Sequence, residues 1–315
     1  MVNPMTPLWP ELKYEAWQDT RATLHLWTQI IGKIRLVQTP WLNHSWHVPL
    51  YLNSRGLTTS PIAHGSRSFD IQFDFLEHAL DIKVSDGGVR RLALQPQSVA
   101  DFYAAVMAAL QHLGIAVAID ERPCEIAAAL RFSGDRLHAA YDPVYARRFW
   151  QVLLQTDRVL KKFRTAFLGK SSPVHFFWGS FDLAVTRFSG RRAPPTTWKV
   201  PGVSPAVMRD AYSHEVSSAG FWPGGSGTDY PAFYSYAYPV PAGFREFAVQ
   251  PAGAFFSEPL GEFLLPYEAV RAAADPDAAL LAFLQSTYEA AARSADWDRA
   301  ALESAPGRPS VPREI

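Results

Sequence analysis

The sequence has little cysteine, no long apolar run and no excess of charge of one sign. Its 315 residues include one cysteine, Cys124, which excludes an internal disulfide and a metal site built from several cysteines. No apolar run reaches the roughly 18 residues of a membrane-spanning helix, and no basic-then-apolar signal opens the chain. We therefore expect a soluble cytoplasmic protein with no membrane partner.

The charge balance argues against one further class of partner. The 30 basic residues match the 30 acidic ones, so the chain lacks the positive excess on which non-specific nucleic-acid binding depends. Core material is ample, since 48% of the residues are hydrophobic. Only residues 1–10 and 301–315, which carry prolines without periodicity, are predicted to be weakly ordered tails.

Apolar periodicity divides the chain into two halves with the same order of elements. In residues 11–120 a helix over Trp17–Val37 precedes a group of short strands, and a second helix follows them. In residues 121–300 a helix over Pro143–Leu168 precedes further strands, and a helix that begins at Pro276 closes the half. The order helix–strands–helix predicts an α+β protein with mainly antiparallel sheets. It also suggests an internal duplication, with the halves packed as one unit.

Turn and cap residues set the expected boundaries. Ser98 is predicted to cap the helix that closes the first half, and Gly169 to end the long helix of the second. Ile115–Ile119 is predicted to be a strand that joins the halves, and Pro194–Pro205 a surface excursion. The other predicted strands are His47–Asn53, Leu57–Ser60, Ser68–Phe75, Ala79–Ser85, Val89–Leu94, Val174–Trp178, Asp182–Phe188, His214–Ala219, Ala232–Tyr238 and Glu262–Leu265.

One face of the first helix carries a polar stripe. Arg21, His25, Gln29 and Lys33 recur at every fourth position, while apolar residues occupy most of the remaining surface. A helix that is apolar on most sides is largely buried, so the stripe faces either an internal cavity or solvent. We take these four residues as candidate ligand-binding groups.

The segment Lys170–Pro194 is rich in polar groups for a pair of apolar strands. It sets His175, Asp182 and Arg187 among aromatic residues, and each polar group buried without a partner costs about 1–3 kcal/mol. A tight turn at Gly179 would bring His175 to Asp182. Such a pair suits a general base, because the carboxylate fixes the imidazole tautomer. A salt bridge at the strand end is the structural alternative.

A second polar pair, His214 and Glu215, comes before a glycine-rich run at 220–227. The two side chains point to opposite faces of a strand, and we take Glu215 as the catalytic candidate. The run either lets backbone approach a ligand closely or is a flexible turn. Trp178 and Trp222 are the aromatic candidates for ligand contact.

Two histidines have a spacing that would allow a metal pair. His44 and His47 lie three residues apart, but a third ligand could come only through folding, and no zinc motif accompanies them. Core or capping roles are the structural alternative. We therefore assign no metal and no cofactor.

Four blocks of the sequence resemble the signature blocks of an uncharacterised bacterial family, a domain of unknown function. They are WQDTRATLHLWTQIIGKIRL, SSPVHFFWGSFDLAVTRFSGRRAP, EVSSAGFWPG and FLQSTYEAAA. The resemblance spans about Trp9 to Trp297 and leaves both tails outside. It implies a bacterial origin and one family-wide unit, and it brings no activity, cofactor or catalytic residue.

Three hypotheses for function remain open. The first is a small-molecule-binding protein or enzyme with an aromatic-lined polar pocket. In it His175 accepts a proton, Asp182 orients the imidazole and Arg187 clamps an anionic group of the substrate. The second is an interaction or self-assembly module whose exposed aromatic residues engage a partner or a second copy of the chain. The third is a metal-dependent hydrolase.

Overall fold

A computed structural model describes residues 8–225 and 228–313. Within these ranges the chain forms seven α-helices and two antiparallel sheets of six strands each. The predicted α+β class is confirmed, and the two sheets fit the expected layout of two halves. The helices are α1 (Gln18–Gln38), α2 (Val99–His112), α3 (Pro143–Arg164), α4 (Pro205–Ala211), α5 (Tyr267–Arg271), α6 (Pro276–Ser294) and α7 (Arg299–Leu302).

Each sheet is built from strands of one half of the chain. The first sheet comprises β1 (Tyr51–Leu52), β2 (Gly56–Thr58), β3 (Ile62–His64), β4 (Arg67–Asp74), β5 (Ala79–Val84) and β6 (Val89–Ala93). The second comprises β7 (His175–Phe177), β8 (Asp182–Arg192), β9 (His214–Trp222), β10 (Ala232–Tyr238), β11 (Phe255–Ser257) and β12 (Glu262–Pro266). The second sheet has the strand order β11-β12-β10-β9-β8-β7.

The second sheet has two different faces. Along β8, Leu183, Val185 and Arg187 point to the face on which α3 and α6 pack, because side chains alternate along a strand. Asp182 and Thr186 point to the other face, which these helices leave uncovered. A site can therefore form on that second face.

The two halves share one hydrophobic core. Leu50, just before β1, and Phe176 in β7 exchange backbone hydrogen bonds of 2.9 and 2.8 Å, so the two sheets meet at this point. Buried apolar residues from both halves form one continuous cluster, and α1 contacts both α2 and α3. No helix in the described ranges is long and apolar enough to cross a membrane.

Several boundary predictions are confirmed and two are wrong. Ser98 caps α2, since its Oγ accepts from the backbone N of Asp101 at 3.1 Å. Gly169 does not end α3, which stops at Arg164 because Leu168 leaves the helix to pair with the backbone near the chain end. Ile115–Ile119 is not a strand, because its first residue bonds back to the last turn of α2.

The structure describes only part of the two predicted tails. Residues 1–7 and 314–315 lie outside the described residues. Trp9 is buried, and its ring packs against Phe233 and Tyr267. The chain is therefore anchored to the second sheet from its first described turn.

Candidate ligand cavity

A cavity of about 700 Å³ lies between α1 and the uncovered face of the second sheet. Its other walls come from residues 41–48, from Cys124 and Glu125, and from the segment 198–212. A cavity of this size accommodates a small organic molecule. The aromatic residues of its lining are Trp41, Trp46, Phe177, Trp178, Phe188, Trp198, Tyr212, Trp222, Tyr234 and Tyr236.

The polar stripe of α1 faces this cavity. Arg21, His25 and Lys33 line it, and Gln29 lies behind them. All four side chains are buried, with exposures between 0 and 8%, because the apolar remainder of α1 packs into the shared core. Three of the four stripe residues therefore line the cavity, and none of the four is exposed to bulk solvent.

Backbone carbonyls fix two of the stripe residues. Arg21 Nε donates to Gly224 O at 2.6 Å, and His25 Nε2 lies 2.8 Å from Gly179 O. Because a carbonyl can only accept, the contact with Gly179 O favours the tautomer of His25 that is protonated on Nε2. Burial and the nearby charge of Arg21 lower the pKa of His25 to about 3. The ring is therefore neutral at neutral pH.

Gln29 holds the neighbouring wall in place. Its Nε2 donates to Cys124 O at 2.9 Å, and its Oε1 accepts from Cys124 N at 2.9 Å. This pair of bonds fixes the irregular segment that carries Glu125. The Glu125 carboxylate lies close above Gly179, where an added Cβ would come within 2.0 Å of Oε1. Gln29 is therefore a positioning residue and not a ligand contact.

The predicted pair of His175 and Asp182 is wrong, although both residues line the cavity. The register sets His175 opposite Ala184, two residues beyond Asp182, and such diagonal positions lie about 7–8 Å apart. His175 is 1% exposed, and neither ring nitrogen has a hydrogen-bond partner in the described ranges. Burial, with the charges of Arg35 and Arg164, lowers its pKa to about 3.

Hydroxyl groups, and not His175, bind the Asp182 carboxylate. Ser180 Oγ donates to Oδ1, and the Tyr234 hydroxyl donates to Oδ2. Tyr234 reaches across β9 because its ring lies over Gly220, where an added Cβ would be 2.7 Å from the hydroxyl oxygen. Burial raises the pKa of Asp182 above its usual value, since the two donors only partly replace water.

Two further carboxyls respond to the charge of Asp182. Burial and that charge raise the pKa of Glu125 and of Glu262 to about 7. Glu262 is partly exposed, and Glu125 is more exposed, but both line the cavity. We call Glu125, Asp182 and Glu262 the acidic cluster. Carboxyls with raised pKa values of this kind can donate or accept a proton near neutral pH.

Arg187 and Glu215 lie outside the cavity, so their assignment to the pocket is wrong. Arg187 is on the opposite face of β8, with its guanidinium carbon 3.5 Å from the ring centre of Phe163 and 4.3 Å from that of Tyr288. It cannot clamp a ligand bound on the other side of the sheet. Glu215 instead accepts from Arg191 Nε at 2.9 Å near the protein surface.

Both predicted tryptophans line the cavity. The Trp178 ring packs against Gly32 of α1, where an added Cβ would lie 2.2 Å from the ring. Trp222 ends β9 and precedes the glycine run, of which residues 226–227 lie outside the described part of the chain. The run approaches Arg21, since a Cβ on Gly225 would be 1.9 Å from Nη2.

The excursion at 194–205 is exposed, as predicted, and it also continues into one wall of the cavity. Trp198 packs against Tyr212 and Tyr238, with ring centres 4.7 and 5.1 Å apart. The backbone N of Glu125 donates to Pro201 O at 2.7 Å. The segment is thereby fixed both to the sheet and to the wall that carries Glu125.

The histidines considered for a metal pair bond to backbone groups. His44 Nδ1 lies 3.1 Å from Ala211 O, and His47 Nδ1 accepts from Leu42 N at 3.2 Å. Over residues 8–225 and 228–313, no group of three or more His, Cys, Asp or Glu side chains is placed to hold a metal ion. These contacts are the capping roles that the sequence left open.

Comparison with protein families shows which family the chain belongs to. A model of a family of unknown function, DUF5996, matches residues 9–304. The chain belongs to this family. The match confirms the predicted membership of a family of unknown function, and its range agrees with the predicted span. Comparisons with curated proteins and with solved structures gave no match.

Sequence reasoning missed several side chains of the cavity in this DUF5996 member. Tyr234 and Tyr236 alternate in one strand, so their common face was a usable signal. Glu262 begins a predicted strand, but only the pairing with β10 brings it to the cavity. Glu125 lies in an irregular segment, with a φ of 62°, and no periodicity marks it.

Proposed function

We propose that this protein binds a small organic molecule in the cavity between α1 and the second sheet. The observation that carries the proposal is convergence. The stripe of α1, from the first half of the chain, and the uncovered face of the second sheet line one cavity of about 700 Å³. Aromatic walls with a few polar groups are the usual form of a ligand site.

Small side chains on the sheet leave room for a ligand. Ala184, Thr186 and Ser218 line the cavity from the middle of β8 and β9. The hydroxyls of Thr186 and Ser218 bond to each other at 2.8 Å, so they need no outside partner. The floor of the cavity therefore consists of small side chains whose hydroxyl groups already have hydrogen-bond partners. The groups around the floor would determine which ligand binds.

The distribution of tryptophan supports a ligand site over an interaction surface. Of the ten tryptophans, only Trp41 and Trp198 are exposed, and both line the cavity. An assembly module would present such residues on a separate outer face. Bacterial origin, cytoplasmic location, internal duplication and homo-oligomer formation stay predictions.

The acidic cluster extends the proposal to catalysis. Its glutamates have pKa values of about 7, and a general acid or base works best when its pKa lies near the operating pH. An enzyme that uses this cavity would transfer protons through Glu125 or Glu262. His175, with a pKa lowered to about 3, is a neutral hydrogen-bonding group instead.

A cavity-filling variant tests the proposal. In Ala184→Leu, the larger side chain occupies the floor of the cavity, whereas Ala104→Leu adds the same atoms on an exposed position of α2. Wild type and both variants are screened against a library of small molecules by thermal unfolding. A ligand at 100 times its Kd adds about 2.7 kcal/mol to the free energy of unfolding, enough to raise Tm by a few degrees.

The expected result is a set of compounds that raise the Tm of wild type and Ala104→Leu but not of Ala184→Leu. In the same screen, His175→Ala should lose the stabilisation while keeping the fold by circular dichroism. Compounds that stabilise Ala184→Leu as much as wild type would place binding elsewhere and contradict the proposal. A library without any stabilising compound would contradict it as well.

A further inference from the structure

We infer that the ligand of this cavity carries a cationic nitrogen, a protonated amine or an ammonium group, on an apolar or aromatic body. The inference rests on the proposed function and names the chemical class that the cavity would take. Three features carry it: the uncompensated charge of the acidic cluster, the unpartnered imidazole of His175 and the aromatic walls.

The acidic cluster has no positive partner in the described part of the chain. Burial raises the pKa of Asp182, and the hydroxyls of Ser180 and Tyr234 lower it. Burial and the charge of Asp182 raise the pKa values of Glu125 and Glu262. No cation is among the causes for any of the three. Asp182 is 6% exposed, and a buried carboxylate without a counter-charge destabilises the folded protein. A cationic ligand would supply the missing charge.

The two cations of α1 that line the cavity are engaged elsewhere. Arg21 donates to a backbone carbonyl at 2.6 Å, and its guanidinium lies over the ring of Phe181. Lys33 Nζ lies 4.0 Å from Asp120, an exposed carboxylate outside the acidic cluster. Neither cation neutralises the carboxyls on the sheet, so a ligand can supply the counter-charge.

His175 gives an independent indication of a ligand. It is 1% exposed, lines the cavity and has no partner for either ring nitrogen among the residues described. A neutral imidazole offers one lone pair as an acceptor. An ammonium carries several N–H donors, so one can bond to His175 while another bonds to Asp182, its diagonal neighbour across the strands.

The aromatic walls already accept an ammonium group from the protein itself. Lys170 Nζ lies 4.8 Å from the ring centre of Phe188 and 5.4 Å from that of Trp46, and both rings line the cavity. Such cation–π contacts strengthen where water is excluded. The rings of Trp178 and Trp222, which also line the cavity, offer the same kind of surface to a bound cation.

Three probes of one shape test the inference: tryptamine, tryptophol and indole-3-acetate, which are cationic, neutral and anionic. Binding is measured by isothermal titration calorimetry near pH 8, where the two glutamates are largely ionised. We expect tryptamine to bind at least about tenfold more tightly than tryptophol, and indole-3-acetate to bind most weakly. Glu262→Gln should weaken tryptamine about tenfold and leave tryptophol unchanged. Glu258→Gln, an exposed carboxylate outside the cavity, should change neither.

Other results would overturn the inference without the same effect on the proposed function. Equal or tighter binding of tryptophol or indole-3-acetate would show that charge does not select the ligand, while the cavity would remain a binding site. Tryptamine binding that neither Glu262→Gln nor Glu125→Gln weakens would also overturn it. Absence of binding by all three probes would overturn the inference too. The thermal-unfolding screen with Ala184→Leu would then test the proposed function independently.

Discussion

Glu262→Gln should stabilise the ligand-free protein, and the gain should depend on pH. Burial and the charge of Asp182 in β8 raise the pKa of Glu262, and Glu262 is among the acidic groups that raise the pKa values of Tyr234 and Tyr236 in β10. Glutamine keeps the shape of the side chain and removes its charge. The replacement therefore relieves carboxylate repulsion and burial of charge without opening a void.

The sign and size follow from the two pKa values of Glu262. The side chain ionises near 4.5 in an unfolded chain and near 7 in the folded protein. Between these values the folded state holds a proton that the unfolded state has lost, so raising the pH favours unfolding. The gap corresponds to about 3 kcal/mol at 1.36 kcal/mol per pKa unit. Because Glu262 is partly exposed and screened, we expect about 1–2 kcal/mol.

Urea unfolding followed by tryptophan fluorescence, between pH 4 and pH 8, measures this difference. The free energies of unfolding of wild type and Glu262→Gln should coincide near pH 4, and the variant should be more stable by about 1–2 kcal/mol at pH 8. Glu258→Gln controls for loss of a surface charge. A variant that is no more stable than wild type at pH 8, or a gain that is constant with pH, would refute the reasoning.

Two further variants test the packing around the cavity. Gly32→Ala places a Cβ 2.2 Å from the Trp178 ring, so it should lower the free energy of unfolding by about 1–3 kcal/mol, despite the better helix propensity of alanine; unchanged stability and tryptophan fluorescence would contradict this. Arg187→Ala should lose about 2–4 kcal/mol in urea unfolding, because it empties the aromatic enclosure between α3 and α6. Ligand affinity should not change in Arg187→Ala, and a large loss would place Arg187 in the site after all.

Local periodicity in the sequence was sufficient to predict most helices and strands and the polar face of α1. The recurrence of Arg21, His25, Gln29 and Lys33 at every fourth position predicted one polar face on α1 and left open whether it faces a cavity or solvent. Alternation along β8 shows which of its residues share a side. The long helices and most strands follow from the same patterns. β3 and β11 were missed, since three residues are too few to show a period.

The remaining errors concern long-range geometry. Alternation already placed Arg187 on the side opposite Asp182, but which side α3 and α6 cover depends on tertiary packing. His175 and Asp182 fail to meet because of a register offset that the turn at Gly179 does not reveal. The contact between Tyr234 and Asp182 spans three strands and depends on the absent side chain of Gly220, so no local pattern encodes it.

The position of α1 makes the two halves of the chain interdependent. This helix lies early in the sequence, yet it roofs a sheet whose strands begin some 140 residues later, at His175. A ligand that contacts both α1 and the second sheet would link the two halves non-covalently. Its binding free energy would add to the free energy of unfolding of the whole protein. Neither half alone would possess the chamber, so a fragment cut at the midpoint would lose recognition completely even if it kept its own strands.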